Sequence, residues 1–151
     1  MPHSDIFGEI AEFACIAENT TKPIEYLCEY SASPEAVISM AAAIRGGQEA
    51  LAENPRFLQL ITPLPVNSAA TCIDQIILAA RAGVPASVST LAIGGASSPV
   101  TTASCVVHCL ATDFAAMVLE QLAKPGAFCI GSSNAYFMEP ETGGIGGITC
   151  L

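Results

Sequence analysis

Segments of helical periodicity alternate four times with short apolar segments that have strand character. The predicted strands begin near Ile24, Phe57, Ala86 and Ala127, and they are roughly 30–40 residues apart, as in βαβ units. Two architectures share this rhythm: part of a (β/α)8 TIM barrel, with about four βα units, and a small open parallel α/β sheet. A complete barrel typically has about 250 residues, so a chain of 151 residues can provide only part of one.

We expect residues 1–151 to form a single partial barrel segment that ends in a loop-rich tail over residues 132–151. Ser33-Pro34-Glu35 predicts a helix start, because an N-cap residue, a proline and an acid follow one another. Gly46-Gly47 predicts an interruption of that helix, and Gly83 predicts the end of the next one. The last long helix is expected to bury a stripe of apolar side chains at Val107, Leu110, Phe114, Met117 and Leu122.

A glycine-rich turn over residues 94–102 joins the third predicted strand, which runs from Ala86 to about Ile93, to this helix. Adjacent glycines permit positive φ angles and let a ligand approach the backbone closely. Ser98 is predicted to be the N-cap, with Pro99 at the first helical position and free N–H groups above the turn. The turn lacks the lysine of a Walker A loop and the G-x-G-x-x-G fingerprint. We expect it to bind a substrate through Gly94, Gly95, Ser97, Ser98 and Thr101.

The charge balance excludes whole classes of partner. The formal net charge is −9 with only five Lys and Arg residues, which argues against nucleic acids and anionic membrane surfaces as partners.

No uninterrupted apolar run reaches about 18 residues, so no membrane-spanning helix is predicted. The seven cysteines lie mostly in apolar segments, and the first residues show no signal-peptide pattern. We therefore expect a cytoplasmic protein with reduced thiols.

Acidic, amide and aromatic residues are predicted in the loops that follow strands, whereas basic residues precede strands or end helices. Lys22 and Arg56 precede strands, and Arg81 and Lys124 end helices. Aromatic faces and carboxylates are the groups that bind a quaternary ammonium ion. The alternative is that such residues simply populate the loops of an acidic protein. The further substrate-binding candidates are Asn67, Asn134, Tyr136 and Glu139, and the same loops carry Glu29, Tyr30, Phe137 and Glu141.

Cys105, His108 and Cys109 share one face of the last long helix. A metal centre would need a fourth ligand and a polar pocket, and the surrounding segment is apolar. We therefore interpret the cysteines as small core residues and predict no metal site. Catalytic residues are not assigned.

Four motifs resemble the trimethylamine methyltransferase (MttB-like) superfamily. Gly95-Ala96-Ser97-Ser98-Pro99-Val100-Thr101-Thr102-Ala103 is similar to its Gly-Ala-x-x-Pro-Val-Thr-x-Ala, and Gln121-Leu122-Ala123-Lys124-Pro125-Gly126-Ala127 to its Gln-Leu-x-x-Pro-Gly-Ala. Met138 with Thr142-Gly143, and the segment Asn19-Thr20-Thr21-Lys22-Pro23, match in the same order. The chain departs at Thr112-Asp113, where Ala-Glu is usual, and at Ser104, where glycine is usual.

The resemblance implies a (β/α)8 barrel that moves a methyl group from a methylamine or betaine to a corrinoid protein, of which this chain would be an internal fragment. It implies that cobalamin is carried by the partner protein and that none is bound directly. A homo-oligomer is a further expectation. Two alternatives stay open: a small α/β module that binds an anion at the Ser98 helix N-terminus, and a non-functional truncated half-barrel with exposed apolar edges.

Overall fold

The computed structural model describes residues 6–29, 33–63 and 70–146. Within them the helices are α1 (Ile6–Asn19), α2 (Ser33–Arg45), α3 (Gln48–Glu53), α4 (Ala70–Ala82) and α5 (Thr102–Ala123). The strands are β1 (Ile24–Leu27), β2 (Phe57–Ile61), β3 (Ala86–Val88), β4 (Leu91–Gly94), β5 (Cys129–Gly131), β6 (Asn134–Met138) and β7 (Ile145–Gly146).

Four strands form a parallel sheet in the order β1-β2-β3-β5. Every pair in this sheet is parallel, and the order follows the chain with no strand inserted between neighbours. The predicted parallel α/β fold with several βα units is therefore confirmed. Sequential order is what consecutive units of a (β/α) barrel share, whereas a doubly wound sheet reverses its order at a switch point.

The helices cover one face of this sheet. Phe13 of α1 lies edge-to-face with Tyr26 of β1 and Phe57 of β2, at centroid distances of 5.5 and 5.4 Å. A second buried cluster joins helices α4 and α5 to strands β2 and β3 through Ile61, Ile76, Ala79, Ala86, Val88 and Ala116. Side chains alternate between the two faces of a strand, so Leu58 and Leu60 of β2 lie on the opposite, open face, where they are half-buried.

The predicted helix boundaries at glycines are confirmed. Gly46 and Gly47 have φ angles of 89° and 138° and separate α2 from α3. Gly83 has a φ of 74° after α4, and its N–H donates to the carbonyl of Ala80 at 3.1 Å. These left-handed conformations end a helix because only glycine adopts them without steric cost.

The predicted buried stripe of α5 is wrong. Val107, Leu110, Phe114 and Leu122 are 62%, 45%, 59% and 77% exposed, and Met117 is half-buried. The face that packs on the strands instead carries small and polar side chains: Cys105, Cys109, Thr112, Asp113, Ala116 and Glu120. The helix is apolar around most of its circumference, so the size of the side chains that fit against the strands decides its rotation.

We call the exposed residues Val107, Leu110, Phe114, Val118 and Leu122 the outer face of α5. By length and composition alone, α5 is long and apolar enough to cross a membrane. The sequence analysis predicts no such helix, because no uninterrupted apolar run in the chain reaches about 18 residues. A single helix of this kind is weak evidence for a membrane protein, because apolar helices of soluble proteins meet the same criteria.

Three further local predictions are corrected. The third predicted strand is divided into β3 and β4, with Ser89 and Thr90 between them. The segment predicted to be a loop-rich tail contains β6 and β7, since β6 pairs with β4 and β7 pairs with β6. Helix α5 begins at Thr102 with Thr101 as its N-cap, not at Pro99 with Ser98, because the chain is still inside the turn at Ser98, which bridges to Gly94.

Candidate functional site

Strands β3 and β5 continue beyond the four-stranded sheet as β4 and β6. The same sequence offset relates Ala86 to Cys129 below the interruption and Leu91 to Asn134 above it. Across the interruption the Ser132 N–H donates to the carbonyl of Val88 at 2.8 Å, and the Asn134 N–H to that of Thr90 at 2.9 Å. The two strands therefore form one parallel ribbon that rises above the carboxyl end of the sheet, where ligand sites of parallel α/β folds lie.

The ribbon has two chemically different faces. Thr90 and Ala92 face α5, since Thr90 contacts Asp113 and Ala92 packs with Cys105 and Cys109. Because side chains alternate along a strand, the open face of the ribbon receives the intervening residues. These are Ser87, Ser89, Leu91 and Ile93 on one strand, and Ser132, Asn134 and Tyr136 on the other.

A network of neutral polar groups connects the strands on the open face. The hydroxyls of Ser87 and Ser132 are 3.0 Å apart, and the Ser89 hydroxyl donates to the carbonyl of Ser132 at 3.0 Å. Asn134 Nδ2 donates to Ser89 Oγ at 3.2 Å and to the Ser132 carbonyl at 3.3 Å. We call these four residues the polar ladder. Ser87 is buried, so Ser89, Ser132 and Asn134 are the members that offer hydroxyl and amide groups, without a formal charge, to a ligand.

Asp113 supports the ladder from the helix side. This residue is 5% exposed, and its Oδ1 accepts hydrogen bonds from Ser133 Oγ at 2.6 Å and from Thr90 Oγ1 at 3.2 Å. These two donors lie on the two strands of the ribbon, next to ladder residues Ser89 and Ser132. One buried carboxyl on α5 therefore fixes both strands at the level of the interruption.

Hydrogen bonds between residues of the glycine turn hold its two sides together. Ser97 Oγ accepts the Ile93 N–H at 3.0 Å, and the Gly95 N–H donates to the Ser98 carbonyl at 2.9 Å. Ser98 is 8% exposed, and its hydroxyl has no hydrogen-bond partner among the described residues. Thr101 Oγ1 accepts the Ser104 N–H at 3.4 Å as the helix cap. The side chains of Ser97 and Thr101 therefore hold the turn and the helix start.

The backbone of β4 at Gly94 lies close to the aromatic ring of Phe137. A Cβ at this position would lie 2.5 Å from Cδ1 and 2.6 Å from Cε1 of Phe137, and its own φ is not positive. Gly95 has a φ of 90°, and a Cβ there would lie 3.7 Å from Cβ of Met138. The sequence predicts that a ligand approaches the backbone at this turn, but at Gly94 the space is filled by the chain's own aromatic ring.

The structure brings some of the predicted substrate-binding residues together. Tyr136 pairs in register with Ile93, so it lies beside the turn, whereas Asn134 belongs to the polar ladder. Glu139 is exposed in the connection between β6 and β7, where its N–H donates to the Gly144 carbonyl at 2.8 Å. Asn67 and Tyr30 lie outside the described residues.

Ser87, Ser89, Ser132 and Asp113 are the residues of this site that the sequence interpretation missed. A serine at every second position of an otherwise apolar strand marks one polar face, and this signal is visible at Ser87 and Ser89. An acid on the small-residue face of an apolar helix is the corresponding signal at Asp113.

Basic side chains lie at the other end of the sheet, as predicted for Lys22, Arg56, Arg81 and Lys124. Lys22 and Arg56 precede β1 and β2, and Arg81 ends α4. Arg45, predicted within a helix, lies in the last turn of α2 and so at the same end. Lys124 caps the end of α5, with its Nζ near Gly83, just before β3. These are all five Lys and Arg residues of the chain. The ladder end of the sheet is therefore suited to a cationic or neutral ligand more than to an anion.

The cysteines of the described residues are free thiols. Cys105 and Cys109 are buried against Ala92, Ala135 and Phe137, which confirms their interpretation as core residues. Burial raises the pKa of the Cys109 thiol, and the nearby Cys105 and Asp113 raise it further. Within the part of the chain that the structure describes, no group of three or more His, Cys, Asp or Glu side chains could hold a metal ion.

Comparison with known proteins adds an independent observation. A protein-family model described as trimethylamine methyltransferase (MTTB) matches residues 13–146. Trimethylamine methyltransferase MttB of Desulfitobacterium hafniense is 33% identical over 125 residues, which cover 82% of this chain and 25% of that protein. MttB of Methanosarcina barkeri is 34% identical over 122 residues, covering 79% of the chain and 25% of the relative. The chain thus spans about a quarter of the length of these relatives.

Proposed function

Since the chain belongs to the trimethylamine methyltransferase family, we propose that it forms part of an enzyme that moves a methyl group from a methylamine or betaine to a corrinoid protein. The observation that carries this proposal is the family match over residues 13–146, nearly the whole chain. It is supported by an open ribbon face with hydroxyl, amide and aromatic groups, at the end of the sheet remote from the basic residues.

The proposal includes a (β/α)8 barrel, of which this chain would supply four parallel strands. Three features support it: the sequential strand order, the helices on one face only, and apolar side chains on the open face. In a closed barrel, Leu58, Leu60 and the polar ladder would face the interior, and the ribbon would rise at the carboxyl end where barrel active sites lie.

The chemistry assigned to this chain is binding and orientation of the amine. A methylated ammonium ion is attracted to an aromatic face, which Tyr136 supplies beside the glycine turn. Asn134 and the serine hydroxyls of the ladder offer hydrogen bonds to a polar group of the same substrate. Because the Lys and Arg side chains lie at the opposite end, the cation meets no like charge there.

A corrinoid carried by the partner protein would supply a nucleophilic cobalt. The residues that would hold the cationic amine are Tyr136, Asn134 and the ladder serines, and their role would be to fix the orientation of its N-methyl group. We also propose a cytoplasmic location, which the free cysteines support, and a homo-oligomer, which the exposed outer face of α5 supports.

The test is demethylation of a panel of methylamines and betaines by a full-length protein that contains these residues, in the presence of cob(I)alamin. The demethylated amine is measured by NMR. We expect turnover with at least one substrate and a loss of about tenfold or more in Tyr136→Leu, since a desolvated cation–π contact contributes about 2 kcal/mol. Phe128→Leu, an exposed aromatic at the opposite end of the sheet, is the matched control. No turnover with any substrate would contradict the proposal.

A further inference from the structure

A cavity of about 260 Å³ lies at the amino end of the sheet, between the starts of β1 and β2 and the end of α2. Three of the chain's five basic residues, Lys22, Arg45 and Arg56, line it. Among the described residues, twelve line the cavity and none of them is acidic, although the chain has 14 Asp and Glu residues. The cavity therefore concentrates positive charge in a protein whose net charge is strongly negative.

The polar groups of this cavity include an unsatisfied donor. Arg45 Nε is buried and has no hydrogen-bond partner within the described part of the chain. Arg56 Nη1 donates to the Thr21 carbonyl at 2.8 Å, which holds its guanidinium at the cavity wall. Leaving a buried N–H of a charged group unpaired is costly, and Arg45 would gain a partner if its side chain turned to meet an anionic oxygen in the cavity.

The inner wall of the cavity is apolar. Ile44, which is 61% exposed, and the half-buried Ala17 and Ile24 supply its accessible apolar surface, above a covered floor of Phe13, Leu51 and Phe57. A small inorganic anion would use the basic side chains but leave Ile44, Ala17 and Ile24 in contact with water. A ligand with an apolar body and an anionic head would use both.

We propose that this cavity binds an organic anion: a short alkyl or aryl body that carries a carboxylate, sulfonate or phosphate group. The head group contacts Lys22, Arg45 and Arg56, and the body lies against Ile44, Ala17 and Ile24. The site is at the opposite end of the sheet from the polar ladder, so it is independent of the proposed methyl transfer.

A matched series of probes tests the proposal on the 151-residue chain: octanoate, 1-octanol and octylammonium, each titrated calorimetrically. They share an alkyl body and differ in head-group charge. We expect octanoate to bind at least tenfold more tightly than 1-octanol, with an affinity that falls as ionic strength rises, and octylammonium not to bind. Equal affinity for octanoate and 1-octanol would overturn the proposal, as would no octanoate binding to a chain that circular dichroism shows to be folded.

Variants separate this cavity from other apolar surfaces, including the outer face of α5. Arg45→Met keeps the aliphatic stem but removes the charged donors, and we expect it to weaken octanoate binding about tenfold or more. Arg81→Met, which removes a basic residue that does not line the cavity, should leave the affinity unchanged. Lys22→Met, at an exposed position, provides a second variant that leaves the core intact and should also weaken binding. Equal effects of Arg45→Met and Arg81→Met would refute the assignment.

Discussion

The Ser133 hydroxyl donates to Oδ1 of Asp113 across 2.6 Å, and this hydrogen bond joins α5 to the strand ribbon at the point where both strands are interrupted. The Thr90 hydroxyl, on the other strand, donates to the same oxygen. A single carboxyl therefore holds the two strands that carry the polar ladder.

Replacing Asp113 by alanine should destabilise the fold, because it leaves the buried hydroxyl of Thr90 and the half-buried hydroxyl of Ser133 without their acceptor. We expect the free energy of unfolding to fall by about 2–3 kcal/mol, measured by urea denaturation. Asp113→Asn keeps one acceptor oxygen and should lose less. Asp74→Ala, which removes an exposed acid on α4, is the control, and a similar loss in both alanine variants would contradict this role.

Gly94→Ala should force the Phe137 ring to move, because the new methyl group would lie 2.5 Å from Cδ1 of the ring. We expect a loss of about 1–3 kcal/mol in unfolding free energy, as for other overpacked sites. Gly146→Ala should have little effect, because its new methyl group would lie 3.7 Å from the nearest atom, the carbonyl oxygen of Phe137.

The steric origin of this loss can be tested with a second substitution. Phe137→Leu should relieve the clash, so the double variant Gly94→Ala/Phe137→Leu should lose less than the sum of the single variants. Additive losses would mean that Gly94 is required for another reason.

Glu120 should make the fold less stable as pH rises. It is 1% exposed, neither carboxyl oxygen has a hydrogen-bond partner among the described residues, and burial raises its pKa, opposed in part by the nearby Cys129 thiol. A pKa raised in the folded state means that folding favours the protonated acid. This contribution is complete below the unfolded pKa of about 4.3 and is lost as pH rises through the folded pKa.

Glu120→Met should therefore raise the free energy of unfolding at pH 7 by about 1–3 kcal/mol, the cost of an unpaired buried polar group. The gain should shrink as the pH falls toward 4. Glu120→Gln removes only the charge, so it should abolish the same pH dependence while keeping a buried polar group. Parallel pH–stability curves for all three proteins would contradict the assignment.

Cys28 should resist alkylation in the folded chain. Burial raises the pKa of its thiol to about 11, opposed by a hydrogen bond to Gln59 and reinforced by Glu9. At pH 8 only about one thiol in a thousand would be the reactive thiolate. Peptide mapping after iodoacetamide treatment should show rapid labelling of the exposed Cys15 and slow labelling of Cys28 that accelerates toward pH 11. Equal rates at pH 8 would contradict the prediction.

The outer face of α5 should drive association of the chain. Phe114 and Val107 are about three-fifths exposed and lie two turns apart on one side of the helix. Phe114→Gln combined with Val107→Gln should shift the protein to a smaller species in light scattering coupled to size exclusion. Ile44→Gln, an equally exposed apolar residue on α2, is the control. An unchanged mass in the α5 variant would contradict association through this face.

The sequence by itself determined the alternation of helices with the four strands of the parallel sheet, and the family. Local rules suffice for these features: a proline after Ser33 starts a helix, and glycines at 46, 47 and 83 end helices because their φ angles are positive. The placement of basic residues before strands also follows from chain order alone, since the ends of parallel strands share one edge.

Only the tertiary structure decided which side of α5 packs on the strands and whether the space beside the glycine turn is open or filled. The helix is apolar on several sides, so its periodicity cannot reveal that Asp113 and Glu120 point inward and Phe114 outward. Those orientations depend on how closely the strands approach, as at Gly94, where Phe137 fills the space that the sequence suggested for a ligand. The polar ladder likewise depends on register between residues more than 40 positions apart, because hydrogen bonds between distant segments exist only once the strands have paired.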